Sequence, residues 1–337
     1  MTTFRACGLL ALFGGASVAA QTPASAPEPA RWCDLLPRPA YRALERVPAP
    51  GDWFQVYRVD EGVFALYEPL QAQEAISYLI LGSKRALLFD TGMGIGRIAD
   101  VVKALTALPV TVLNSHTHFD HVGGNAEFDR ILALASDYTR ANTRGFAHEV
   151  VAGEVAGSSL CAGLPPGFEA SSYRTRPWHP GTFVRDGYEV DLGGRQLQVL
   201  HVPGHTPDAV ALLDRPHGLL FTGDTFYEGP VWLTAPETDF QAYARSVDRL
   251  AALAPSLRKL LPAHNAAVAD PKRLIQLREA VRRVQSGVAT PVDRGNDQVE
   301  FLFEGFSILT TKRALLGKTS EGKSGGSGLG SSAEPLP

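Results

Sequence analysis

The sequence predicts an α/β protein whose two halves pack sheet on sheet, with helices outside. Three observations carry that reading. Short apolar runs bounded by Gly, Pro and Asp turns alternate with stretches of helical periodicity across residues 53–288. Residues 87–92 (LLFDTG) are echoed by residues 219–225 (LLFTGDT), each a strand-like run that ends on an acidic turn. The 33 Gly and 24 Pro are more turn formers than a helical bundle carries.

The elements follow in order. Residues 53–59 and 63–67 are β-type runs joined by a turn at Asp60, Glu61 and Gly62, and residues 77–82 form a third. Residues 85–90 (RALLFD) make a buried strand, 96–108 a helix, and 110–114 (VTVLN) another buried strand. Residues 131–135 are a strand and 138–151 a helix. Residues 153–181, with Pro165, Pro166, Pro177 and Pro180, read as a long loop over the core. Four strands follow near 183–191, 195–202, 209–214 and 218–222. Residues 240–253 are helical with Thr238 or Asp239 as cap, and 258–261 form a short strand. Residues 271–286 are a helix with Asp270 at the cap and Pro at its first position, and 299–309 a last strand region.

The two ends differ from this pattern. Arg5, the apolar run 7–13 and the small residues 14–20 read as a cleavable secretory signal peptide over residues 1–20, with Val18 and Ala20 at the −3 and −1 positions. That run is too short to span a bilayer, and no other stretch is long and apolar enough, so stable membrane insertion is not expected. Residues 21–50 read as a Pro/Ala-rich lead-in, disordered over 21–30. Residues 317–337 read as a disordered Gly/Ser-rich tail. The folded domain is placed at 51–316, in a periplasmic or secreted protein. Cys33 and Cys161 remain after cleavage, either paired or as separate buried thiols. A net charge of −3 with no basic cluster argues against nucleic acid as a partner.

The chemistry concentrates in residues 116–121, HTHFDH. Three of the nine His and an Asp fall within six residues, directly after a buried strand. Neutral imidazoles and carboxylates are the usual ligands of Zn²⁺ and similar ions. Alternate residues of an extended segment point the same way, so His116 and His118 can reach one ion, while Asp120 and His121, past the turn, can reach a second. Three further ligand types sit just beyond predicted strands: His205 in VPGHT, Asp224 in TGDT and His264 in PAHN. Strand ends on one edge are where α/β sites form.

This set of motifs, HxHxDH followed by GHT, TGD and a late AH over roughly residues 53–288, resembles the metallo-β-lactamase-fold superfamily. The resemblance implies an αββα sandwich of two mixed β-sheets with helices on the outer faces and a two-metal site at the edge between the sheets. It implies that His116, His118 and His205 bind a first zinc, that Asp120, His121 and His264 bind a second, and that Asp224 bridges them. Asp90 matches the family's supporting acid behind the site. The implied chemistry is hydrolysis by a hydroxide shared between two Zn²⁺ (Mn, Fe or Co being alternatives), with Asp120 orienting it.

The bridging Asp224, with no Cys beside it, is closer to the glyoxalase II and lactonase branch than to true β-lactamases. The expected substrate is a small lactone, ester or thioester. A class-B-like β-lactamase, a phosphodiesterase and a non-catalytic metal-binding protein are the alternatives. Phe226, Tyr227 and Trp232, on a loop with Gly229 and Pro230, are candidates for an aromatic wall, with Tyr227 as an oxyanion or substrate donor. Phe168, Tyr173, Trp178 and His179 make the 153–181 insertion a candidate lid. Arg174 and Arg176 are the candidate anion contacts. The oligomeric state, the metal loaded and the Cys33–Cys161 pairing stay open at this level.

Overall fold

Two mixed sheets face each other across a core of alternating side chains. The computed structural model describes residues 32–316; the expected signal peptide, the first part of the lead-in and the expected tail lie outside the described residues. Among the described residues the first sheet has eight strands in sequential order. They are β1 (Glu45–Val47), β2 (Gln55–Asp60), β3 (Val63–Tyr67), β4 (Ile76–Leu81), β5 (Ala86–Phe89), β6 (Val110–Leu113), β7 (Ile131–Leu134) and β8 (Thr182–Val184). Pairing is antiparallel from β1 to β5 and parallel from β5 to β8. The second sheet contains β9 (Glu189–Asp191), β10 (Gln196–His201), β11 (Val210–Asp214), β12 (Leu219–Gly223) and β14 (Lys259–Pro262), in the order 14-12-11-10-9.

Both faces of the central strands are buried, and the two-residue period divides their side chains between cores. Val63, Ala65, Tyr67, Tyr78, Ile80, Leu87 and Phe89 face inward and meet Val199, Val210, Leu212, Leu219 and Phe221 of the second sheet. Phe64, Leu66, Leu79 and Leu88 face outward, where helix α1 (Ile98–Leu105) covers them with Ile98, Val101 and Val102. On the far side Ala211, Leu213 and Leu220 pack under helices α5 (Phe240–Ala251) and α6 (Lys272–Gln285). Those helices bury Phe240, Tyr243, Val247 and Leu250, and Leu274, Leu277, Val281 and Val284, each at the spacing of one helical face. The Asp239 carboxylate caps α5 by accepting from Ala242 N–H, and Asp270 accepts from Lys272 N–H at the start of α6. The echoed runs 87–92 and 219–225 fall on β5 and β12, which stand beside parallel neighbours in their respective sheets.

Several expectations need correction. The run 183–191, read as one strand, is split at Gly187 (φ +78°) into β8 of the first sheet and β9 of the second. A third sheet was not anticipated: β13 (Gly229–Leu233) pairs in parallel with β17 (Phe306–Thr311), which continues through β16 (Gln298–Phe303) to β15 (Val292–Gly295). The strand region expected at 299–309 is a hairpin turning at Glu304 and Gly305. The helix expected at 138–151 is interrupted into α3 (Asp137–Asn142) and α4 (His148–Val151) where Gly145 takes φ +74°.

The lead-in assigned to 21–50 ends earlier than expected. Residues 32–50 belong to the fold: two 3-10 turns (Trp32–Leu35 and Pro39–Ala43) precede β1, Tyr41 is buried, and Cys33 is disulfide-bonded to Cys161. Pro39 starts the second of these turns, a position that needs no N–H. The bond closes a separation of 128 residues, for which loop-closure entropy gives at most about 5 kcal/mol and experience with native bridges about 2–4. Replacing both cysteines by Ser is therefore expected to lower the unfolding free energy by about 2–4 kcal/mol in urea titrations. An unchanged midpoint would mean that the bond constrains nothing.

Candidate metal centre

Strand ends and the turns after them supply every ligand-type residue. β6 ends at Leu113, and the chain runs through Asn114 and Ser115 into His116 and His118 before the short helix α2 (Phe119–Val122) presents Asp120 and His121. Asn114 Nδ2 ties this turn by donating to His121 O and Asn125 Oδ1. β10 leads to His205, β12 to Asp224 and β14 to His264. Gly204 lets the His205 loop dock on α5: a Cβ there would lie 2.3 Å from Tyr243 N, and its φ is +143°.

The imidazoles converge nitrogen to nitrogen. His118 Nδ1 stands 3.0 Å from His116 Nε2 and 3.1 Å from His205 Nε2. On the other side His264 Nε2 is 3.1 Å from Asp224 Oδ1 and 3.7 Å from Asp120 Oδ2. His121 Nε2 is 3.4 Å from Asp224 Oδ1 and 3.5 Å from Asp120 Oδ2. The other Asp224 oxygen, Oδ2, is 3.5 Å from His205 Nε2. Asp224 therefore lies between a His116, His118, His205 group and an Asp120, His121, His264 group, each compact enough to offer its atoms to one ion.

Each ring is fixed from behind. His205 Nδ1 donates to Trp232 O at 2.7 Å, and His264 Nδ1 to Gln73 O at 2.6 Å. His121 Nδ1 donates to Asp90 Oδ2 at 3.0 Å, and His118 Nε2 to Glu237 Oε1 at 3.0 Å. Ser115 Oγ lies 3.1 Å from His116 Nδ1. Asp90 is itself anchored by Ser115 N–H at 2.6 Å and held at φ +67°, a conformation uncommon for a residue with a side chain. A hydrogen bond on the outer nitrogen sets the tautomer that leaves the inner lone pair free, the arrangement of metal-ligating histidines. His121 Nε2 and Asp224 Oδ1 are buried and make no hydrogen bond. Native proteins rarely leave such atoms unsatisfied, so this donor set fits a divalent cation.

Charge divides the two groups. Burial, together with the neighbouring His121 cation, holds His116 well below the usual imidazole range, and burial brings His205 down to about 4. Burial also opposes a charge on His121, but Asp120, Asp224 and Asp90 outweigh it and push its pKa well up. His264 is raised against burial by Asp224, and Asp224 is driven well down against burial by His264 and His121. The first group thus offers neutral His116 and His205, whereas His121 and His264 of the second are held toward their charged form by the carboxylates around them.

The expected site residues come together, and three further features emerge. Glu237, Gln73 and Ser115 orient rings but carry no motif; only their contacts reveal them. The 153–181 insertion is not a lid: Tyr173 and Trp178 are buried in the outer core, Tyr173 Oη donates to Met93 O, and no residue of the segment lines the cleft over the metal centre. His179 is exposed, and Arg174 and Arg176 border a different groove, with Arg144 and Phe146. The expected aromatic wall is only partly realised. Phe226 is buried against Phe306 in the helix-side core. Tyr227 does line the cleft, its ring 4.9 Å from that of His264, and Trp232 lines it from β13 rather than from a loop.

An αββα sandwich carrying this donor set at the ends of its strands defines a metal-dependent hydrolase. The chain belongs to the metallo-beta-lactamase superfamily, whose family model matches residues 75–285. It is 30% identical over 226 residues to the acyl-coenzyme A thioesterase MBLAC2 of Gallus gallus, which covers 63% of this chain and 81% of that protein. It is also 30% identical over 176 residues to the hydroxyacylglutathione hydrolase of Aeromonas salmonicida, over 52% of this chain and 56% of the relative. Among solved structures, a superfamily protein of Sulfolobus tokodaii is 19% identical, with a TM-score of 0.46, covering 74% of this chain and 89% of that one.

Because a ligating imidazole must be neutral, filling the second group near pH 7 displaces protons from His121. Calorimetric titration of metal-free protein with zinc, in two buffers of different ionisation enthalpy, is expected to show net proton release and an affinity that rises with pH. Binding without proton release at pH 7 would contradict the charge assignment.

Proposed function

We propose that the protein is an exported dinuclear zinc hydrolase of small carbonyl substrates, an ester or thioester foremost. The observation that carries this is Asp224 standing between two complete donor groups. His116, His118 and His205 would hold one ion, Asp120, His121 and His264 the other, and Asp224 would touch both. Bound divalent cations supply Lewis acidity toward a carbonyl oxygen and make a coordinated water acidic enough to act near neutral pH.

The chain's own groups do the rest. Asp120 Oδ2 faces His121 and His264, which leaves Oδ1 to accept and return a proton. The Tyr227 hydroxyl accepts from Trp232 N–H at 3.0 Å and so keeps its own hydrogen for an oxygen in the cleft. Burial raises its pKa well above the ordinary phenol range, so that hydrogen stays in place.

Thioester or ester chemistry is supported by the two named relatives, a thioesterase and a hydroxyacylglutathione hydrolase. Among the described residues lining the cleft, Arg38 is the one Arg or Lys, and it is engaged by Glu74 and Asn265. That favours a neutral acyl group over a β-lactam carboxylate or a phosphodiester at this site. Export is supported by the N-terminal signal pattern and by the Cys33–Cys161 bond, which suits an oxidising compartment.

A hydrolysis panel on metal-assayed protein tests the proposal, with a lactone, an ester, a thioester, a chromogenic cephalosporin and a bis-aryl phosphodiester. About two equivalents of zinc, and ester or thioester turnover lost to chelator and restored by zinc, are the expected results. Asp120→Asn is expected to lower kcat by about 100-fold or more. Turnover that survives chelation, or that is unchanged in Asp120→Asn, would overturn it. Mass spectrometry of exported protein is expected to find Gln21 at the N-terminus.

A further inference from the structure

The residues before β1 form a strap over the metal cleft, fastened at three points. Cys33 is bonded to Cys161. Arg38 donates to both carboxylate oxygens of Glu74, with Nε to Oε2 at 2.7 Å, and to Asn265 Oδ1 at 3.1 Å. Tyr41 is buried and stacks on Tyr67 with ring centroids 4.4 Å apart. So held, the strap presents Trp32, Leu35 and Pro39 to the cavity of about 860 Å³ that His118, Asp120, His205, Asp224 and His264 also line. Trp232 and Pro230, from β13, line the same cavity.

This wall is apolar in water. Leu35 is 54% exposed and Trp232 51%. Isolated exposed apolar residues are ordinary, but a group of them around one cavity marks a binding surface. The charged side chains of the cleft outside the metal groups are already partnered: Arg38 with Glu74, and Glu228 with Arg273 at 3.1 Å. Such a surface gains by desolvating hydrocarbon and has no free charge to offer an ionic group.

We infer that the strap and Trp232 form the recognition wall for an apolar substituent of the substrate, and that Leu35 and Trp232 are specificity-determining residues for an ester or thioester with an aliphatic acyl chain. The inference rests on the hydrolase reading above and adds the substrate class. The disulfide and Arg38 hold the wall in place before substrate arrives, so little ordering is left to oppose binding.

The test is a thioester series with one thiol and acyl groups from acetyl to octanoyl, hydrolysed by zinc-loaded protein. Complete burial of a methylene is worth roughly fourfold. The wild type is expected to prefer octanoyl to acetyl by about tenfold or more in kcat/KM, chiefly through KM. Leu35→Ser and Trp232→Ala, both at half-exposed positions that do not carry the core, are expected to bring the ratio to within about threefold. Leu302→Ser, an equally exposed change on β16 whose side chain does not line the cleft, is expected to keep the wild-type ratio. No chain-length preference in the wild type, or the same preference in all variants, would overturn the inference. Absence of turnover on every acyl group would count against the hydrolase reading alone. The wall is then read by calorimetry of octanoate and acetate binding: about tenfold tighter octanoate, lost in Leu35→Ser, supports it, and equal affinities overturn it.

Discussion

Five imidazoles and two carboxylates are packed with their ligating atoms about 3.0–3.7 Å apart, and the rest of the structure is arranged to hold them there. Left to themselves such groups separate, because the charged imidazoles repel and the neutral lone pairs gain nothing by facing one another. The restraint comes from outside the cluster. Asp90, Glu237, Gln73 O and Trp232 O each take the outer N–H of one ring. A divalent cation is the partner that converts this opposed arrangement into a favourable one, which is why the donor set and its outer hydrogen bonds form one unit.

The sandwich provides those restraints because its two sheets turn at the same edge. β5 and β6 bring Asp90, His116 and His118 from one sheet; β10, β12 and β14 bring His205, Asp224 and His264 from the other. The core between them, where Phe221 meets Tyr78 and Phe89 edge to face, fixes the separation of the strand ends. The small third sheet is tied to the same centre. β13 supplies Trp232 O to His205 and Trp232 N–H to the Tyr227 hydroxyl, so pairing with β17 far along the chain steadies a ring in the metal centre. Arg38 works similarly from the strap, through Glu74 and Asn265, which neighbour Gln73 and His264 in the chain.

Much of the site was legible in the sequence, because ligand chemistry is local. A strand followed by HTHFDH is six adjacent residues, and GHT, TGD and AH each lie at a predicted strand end. The central strands were legible for a related reason: strands buried on both faces read as continuous apolar runs, as in 86–89 and 219–221. What escaped depends on distant partners. Glu237 and Gln73 act through contacts across the fold, and an acid or a backbone carbonyl in a loop carries no pattern. The strap falls within the 21–50 lead-in because its prolines resemble linker, and its order comes from Cys161, Glu74 and Tyr67. Residues 299–309 read as a strand region without a visible turn, because only Glu304 and Gly305 separate the two strands of the hairpin. The insertion 153–181 was assigned a lid role from its aromatic residues, which in fact bury against the first sheet.

The central claim is that Asp224 joins two separate metal positions. Metal-edge anomalous diffraction from zinc-loaded crystals tests it most directly. The account predicts two peaks, one among His116, His118 and His205 and one among Asp120, His121 and His264, with a carboxylate oxygen of Asp224 in contact with each. A single peak, or a pair that leaves Asp224 outside the coordination of either ion, would contradict it.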